Sequence, residues 1–155
     1  MVLERLDAWS RVKEILGLLA ESMTYYERAY DRTRNKQLHH MFGAMASERV
    51  LMIAELQAAK KLMRGRLVKG GRKKLKRPLK NWLTSIRNPF WALNDAGILQ
   101  AGSRNERYIL SVYERHLMAD QLPVGLSEVL MKHRAIIQSN LRDMELFQRT
   151  DLAMA

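Results

Sequence analysis

Apolar side chains recur at alternating intervals of three and four residues from Trp9 through Val12, Leu16, Leu19, Met23 and Tyr26 to Tyr30. At about 100° per residue this spacing lays them on one stripe of an α-helix, whereas on a strand they would scatter over both faces. The rhythm returns in Leu38, Met41, Met45, Met52, Leu56, Ala59 and Met63, after a short polar stretch, 33–36, in which Asn35 is placed to cap. Two long amphipathic helices, about 3–32 and 37–63, joined by so short a turn lie antiparallel with their apolar stripes together.

A second pair follows. Asn94 or Asp95 caps a helix over about 95–118, whose seam is Gly102, Glu106, Ile109, Tyr113 and His116. Gln121, Leu122 and Pro123 break the chain, and Ser127 and Glu128 stand near the start of a helix over about 124–149. That helix carries Leu126, Leu130, His133, Ile137, Asn140, Met144 and Phe147. Between the pairs, 65–93 is too long for a tight turn. Gly65, Gly70 and Gly71 interrupt it, Pro78 opens a shorter helix through Trp82 and Ile86, and Asn88-Pro89 ends that helix. The layout predicts one all-α domain over 1–155, an antiparallel four-helix bundle whose two hairpins are joined by a crossover running its length. Only 8 glycines and 3 prolines in 155 residues agree with few turns and long helices. A faint repeat agrees too: Tyr26-Glu27-Arg28 returns as Tyr113-Glu114-Arg115, and 46–57 can be laid over 131–142.

Several function classes are excluded by residue type. The chain has no cysteine, which removes disulfide frameworks, iron–sulfur clusters and thiolate zinc sites and fits a reducing compartment. No phosphate-cradling loop, dinucleotide fingerprint or nucleophile elbow is present. Glu4, Arg5, Asp7 and Arg11 interrupt the beginning of the chain, unlike a signal peptide, and no stretch approaches the roughly 18 apolar residues of a membrane span. The expected location is the cytoplasm of a bacterial-type cell.

Three polar residues occupy seam positions: Glu48, Glu106 and His133. Buried carboxylates require a charged partner or a metal. Carboxylate-bridged iron or manganese bundles take a Glu from each of two helices and a Glu-x-x-His from each of the other two. Here Leu51 stands where the His after Glu48 belongs, and Leu130 where the Glu before His133 belongs, while Glu21 and Glu27 are displaced from the first helix's seam. A complete di-iron site is therefore not expected. The favoured expectation is a buried polar network pairing Glu48 and Glu106 with Arg49, Arg107, Arg134 or His133; a mononuclear metal site is the alternative. Tyr26 and Tyr113 are expected as core aromatics with bonded hydroxyls, and His39-His40 as exposed.

Taken in order, Tyr26 and Ala29, then Phe42, Ala46, Glu48-Arg49 and Glu55-Leu56-Gln57, then Trp82, Asn105-Glu106, Tyr113 and Leu122-Pro123 form a spaced set over nearly the whole chain. In this set the chain resembles an uncharacterised bacterial four-helix-bundle family of the ferritin-like superfamily. The resemblance implies a ferritin-like bundle with no established activity, and the superfamily implies a stress-related setting. The departure is in the crossover, which is acidic or neutral in that family and strongly basic here.

Charge is the remaining signal. The net charge is +11, and between Gln57 and Leu93 stand 12 basic residues and no acid, which leaves 15 basic residues against 16 acids elsewhere. Arg64, Arg66, Lys69, Arg72, Lys73, Lys74, Lys76, Arg77 and Lys80 form the dense part. Such a run suits a polyanion, since neutralising phosphates releases counterions, and Trp82 or Trp91 can stack on an unpaired base. RNA, including ribosomal RNA or another ribonucleoprotein, is the first expected partner and DNA the second. An anionic membrane surface or an acidic protein would also match the charge, with leucines interleaved among the basic residues. The expected role is non-enzymatic; a metal-dependent oxidoreductase or iron-handling protein and a structural subunit docked on another protein are the alternatives.

Overall fold

The computed structural model describes residues 2–64, 94–119 and 122–150. They form α1 (Val2–Arg32), α2 (Lys36–Arg64), α3 (Asp95–Met118) and α4 (Val124–Thr150), with no strand among the described residues. The helix expected after Pro78, the crossover path and the basic residues from Arg66 to Lys80 fall outside them.

Local chemistry sets the helix ends. Thr33 closes α1 by returning both its N–H, 3.0 Å, and its hydroxyl, 2.8 Å, to the Ala29 carbonyl. Asn35 opens α2, its Oδ1 accepting from the Gln37 and Leu38 N–H groups at 2.9 and 3.2 Å. Asn94 does the same for α3 through the Gly97 N–H, 2.8 Å. The Asp95 carboxylate accepts from the Arg34 and Asn35 N–H groups, with 2.8 Å to Asn35, and so ties the start of α3 to the turn between α1 and α2.

Each helix packs on two others. α1 lies beside α2 and α3, α4 lies beside the same two, and the pairs α1/α4 and α2/α3 face across the diagonals. Adjacent helices are antiparallel: Tyr25 donates to the Ile98 carbonyl at 2.6 Å, while Glu14 meets Arg115 and His116 toward the other end. Lys60 sits 4.6 Å over the Trp9 ring, which places the end of α2 beside the beginning of α1. Arg64 and Asp95 are therefore at opposite ends of the bundle. This is a four-helix bundle of two antiparallel hairpins.

The core is divided. One apolar cluster holds Val12, Ile15, Leu19, Met52, Leu56, Ile109, Tyr113, Leu130 and Ile137. The other holds Tyr25, Tyr26, Leu38, Phe42, Met45, Ile98, Leu99 and Met144. Between them every helix contributes a polar residue: Ser22, Arg49, Glu106 and the half-buried Asn140.

The predicted seams of α3 and α4 are the buried ones, with Asn140 and Phe147 only partly covered. Those of α1 and α2 shift. Trp9 and Met23 are partly exposed and Tyr30 is 40% exposed, while Ile15, Ser22, Tyr25 and Ala29 are buried. A helix with two neighbours buries an arc wider than one stripe. On α2 the true seam is Leu38, Phe42, Met45, Arg49, Met52 and Leu56, which moves Glu48 to its edge and brings Arg49 to the centre.

Candidate functional site

Arg49 is fully buried, which its length and charge make costly unless its donors are met. Its Nη2 donates to Glu106 Oε1, and its Nη1 points at the Met52 sulfur, 3.1 Å away. The Tyr26 hydroxyl donates to the same Glu106 oxygen at 2.5 Å, and the guanidinium lies 5.5 Å from the Tyr26 ring centroid. Phe42 stacks on Tyr26 at 5.8 Å and Tyr25 meets it edge-on at 5.6 Å, so the ring cannot turn away. α1, α2 and α3 thus each supply one member of a Tyr–Glu–Arg triad.

The electrostatics keep the arginine charged and the phenol protonated. Burial alone would lower the Arg49 guanidinium, but the adjacent Glu106 outweighs it and holds the charge above its usual range. Burial, reinforced by Glu106, pushes the Tyr26 hydroxyl far above the usual phenol range, so it remains a donor. The arrangement binds three helices together.

A second polar pair lies beyond the triad. His133 is buried on α4, with its Nδ1 3.0 Å from the Tyr113 hydroxyl and its Nε2 facing Glu55 Oε2 at 3.5 Å. Glu55 accepts two contacts from Lys132, at 3.0 and 3.1 Å, and the lysine holds its carboxyl below the usual range. A carboxylate can only accept, so the Nε2 proton belongs on the side of Glu55 and Nδ1 accepts from Tyr113. Burial pulls the His133 imidazole down to about 4, with Glu55 opposing. Burial likewise pushes the Tyr113 hydroxyl above its usual range.

The three seam residues that the sequence singles out do not form one site. Glu106 takes Arg49, as the network reading expects, and His133 takes Tyr113. Glu48 is half-buried at the α2–α4 edge and accepts from Asn140 at 2.5 Å. Arg107 pairs with Glu145 at 2.9 Å on the surface instead of entering the network. Glu21, expected off the seam, is buried, and burial raises its carboxyl. His39, expected exposed, is half-buried: its ring stacks on Tyr30 at 3.8 Å and its Nδ1 lies 2.6 Å from the Tyr30 carbonyl. Among the described residues no three His, Asp or Glu converge as metal ligands. The donor set does not fit a bridged iron or manganese centre: Glu106, the most central carboxylate, already faces a permanent cation.

No protein-family model, curated protein or solved structure matches this chain.

Arg49 is the residue that sequence reasoning placed only as a possible partner. Leu38, Phe42, Met45, Arg49, Met52 and Leu56 keep spacings of four and three, but so do Leu38, Met41, Met45, Glu48 and Met52, and spacing alone does not choose between them. Of the basic set, Arg64 ends α2, and the rest lies outside the described residues.

Proposed function

We propose that this chain is a non-enzymatic bundle of the ferritin-like kind that binds a polyanion, nucleic acid above all, through the basic connection between α2 and α3. The observation that carries the proposal is the run of 12 basic residues without an acid between Gln57 and Leu93, on a chain otherwise near neutrality. Two further features support it. The connection joins opposite ends of two antiparallel hairpins, as a ferritin-like crossover would. At mid-bundle, where a carboxylate-bridged centre would need free ligands, the chain places its own arginine on its own glutamate. A stress-related setting follows only from the superfamily resemblance.

The test is fluorescence anisotropy with single-stranded RNA and duplex DNA over a salt series, beside a variant carrying Arg72→Gln, Lys73→Gln, Lys74→Gln, Lys76→Gln and Arg77→Gln. Micromolar or tighter binding is expected, with log K falling against log salt by roughly 0.7 for each phosphate contacted on a single strand. The variant should lose most of the binding and flatten the slope. Absence of binding at low salt would overturn the proposal; binding to anionic vesicles alone, or ribonuclease-resistant capture of one acidic protein, would reassign the surface.

A further inference from the structure

One side of α2 is left exposed by α1, α3 and α4. Its exposed residues Ala44, Ser47, Leu51, Ala54, Ala58 and Leu62 follow one another at intervals of three and four, the repeat of a helix that packs on another helix. Leu51 is 64% exposed and Leu62 77%. Two flanks border this stripe. The exposed Val50 and Gln57, seven residues apart, lie on the flank toward α1. Glu55, about one-third exposed, lies beside Leu51 on the flank toward α4, where Lys132 holds its carboxylate at 3.0 and 3.1 Å. From His40 to Leu62 the only exposed residue with a fixed charge is Lys61.

The two ends of the stripe are opposite in charge. At one end a groove of about 660 Å³ runs between α1 and α2, with Gly43, Ser47 and Val50 on its α2 wall and Glu27, Tyr30 and Asp31 on its α1 wall. The exposed Arg28 and Arg32 lie about 100° further round α1, and the exposed Lys36 lies a turn beyond the groove. At the other end stands Lys61. Leu51 is midway in sequence between His40, at the groove, and Leu62. A twofold axis crossing α2 at Leu51 sets Ala44 against Ala58, and His40 against Leu62, of a second, antiparallel copy. Such an axis keeps each flank beside the same flank of the other copy. Gln57 and Lys61 of the second copy then arrive at the height of the groove and on its side, next to Glu27 and Asp31. Glu55, already neutralised by Lys132, meets Ser47 of the other copy. The alanines let the two helix axes approach to about 8 Å. A stripe that is apolar in the middle, acidic at one end and basic at the other is complementary to itself reversed.

We infer that the chain forms a twofold homodimer through this face of α2, the copies antiparallel about Leu51 and Lys61 of each beside Glu27 and Asp31 of the other. The apolar stripe supplies the contact, and the charged ends fix its direction and register. A parallel pair would set Lys61 beside Lys61 and one acidic groove beside the other. The dimer stands whether or not a polyanion binds, and if one does, the pair offers it two basic runs at once.

Sedimentation equilibrium of the full chain at physiological ionic strength tests this. A monomer–dimer equilibrium in the micromolar range or tighter is expected. Leu51→Glu, which sets two carboxylates on the axis, should weaken it at least tenfold. Lys61→Glu should weaken it too, although lowering the +11 charge of each copy would by repulsion alone strengthen association. Adding Glu27→Lys and Asp31→Lys to Lys61→Glu should restore the dimer. The chain has no cysteine, so single cysteines report the geometry. Leu51→Cys should form a disulfide with itself between chains. Ala44→Cys and Ala58→Cys should link to each other when mixed and neither to itself, because like positions lie about 21 Å apart along the helices. Ser111→Cys, on the exposed side of α3, should give no link. A chain that stays monomeric at millimolar concentration, or a dimer untouched by Leu51→Glu, would overturn the inference. So would self-linking of Ala44→Cys, which would make the pair parallel. Circular dichroism confirms that each surface variant is folded, and nucleic acid is absent throughout, so the outcome is independent of the anisotropy experiment.

Discussion

Arg49 on α2 and Glu106 on α3 bond across a diagonal of the bundle, joining two helices that are not packed neighbours. Removing one member strands the other in an apolar interior, so Arg49→Met or Glu106→Leu alone should cost about 3–5 kcal/mol. Replacing the triad together, with Arg49→Met, Glu106→Leu and Tyr26→Phe, should recover most of that loss, because no buried polar atom of the three is then left over. Urea denaturation checks this: a triple variant no more stable than its worst single parent would contradict it.

Acid should destabilise the fold through His133. Its folded value, about 4, lies below the ordinary 6.5, so the unfolded chain binds the proton first. Stability is therefore complete above about pH 6.5 and falls toward pH 4, by about 3 kcal/mol from this group. Glu55, held low by Lys132, adds a loss in the same direction, whereas Glu21, raised by burial, acts oppositely. The difference between the native chain and His133→Gln isolates the histidine: urea midpoints from pH 7 to 4.5 should fall more steeply for the native chain.

Two helical glycines should respond with opposite sign. A methyl group at Gly102 would sit 3.5 Å from Phe42 and Tyr25 and 3.6 Å from the Met144 sulfur, ordinary contact distances. Gly102→Ala should stabilise by up to about 1 kcal/mol through helix propensity. At Gly43 the same atom would approach the Tyr30 ring to 2.8 Å, displacing it from its stack on His39. Gly43→Ala should be neutral or destabilising, and should turn stabilising in a Tyr30→Ala background.

Asp95 ends the long connection with charged hydrogen bonds to two backbone N–H groups of the α1–α2 turn. Asp95→Ala should cost about 1.5–3 kcal/mol, and Asp95→Asn less, in thermal or urea unfolding.

The four long helices, their lengths and their pairing were legible because they rest on periodicity, which burial on a bundle enforces over many turns. On α3 the five residues read from the sequence, Gly102, Glu106, Ile109, Tyr113 and His116, are all buried, and Ile98, Leu99, Ser103 and Val112 widen the same face. On α2 the methionines allow two registers: Met45 and Met52 belong to both, and the choice between burying Glu48 and Arg49 depends on where Glu106 stands on another helix. Periodicity within one helix does not contain that information. On α1, Trp9, Met23 and Tyr30 lie at the margin of the buried arc, beside the buried Ala8, Ser22 and Ala29.

The diagonal pair also acts on alignment. Met45, Met52 and Met144 are unbranched and deformable, so the apolar core beside the polar layer tolerates one hairpin sliding along the other. The guanidinium does not. A slip of one turn, about 5.4 Å, would set Gly102 or Ile109 opposite Arg49 and leave its charge without a counter-ion. The two halves of the chain are thus keyed at a single height, as a notch fixes two sliding rods.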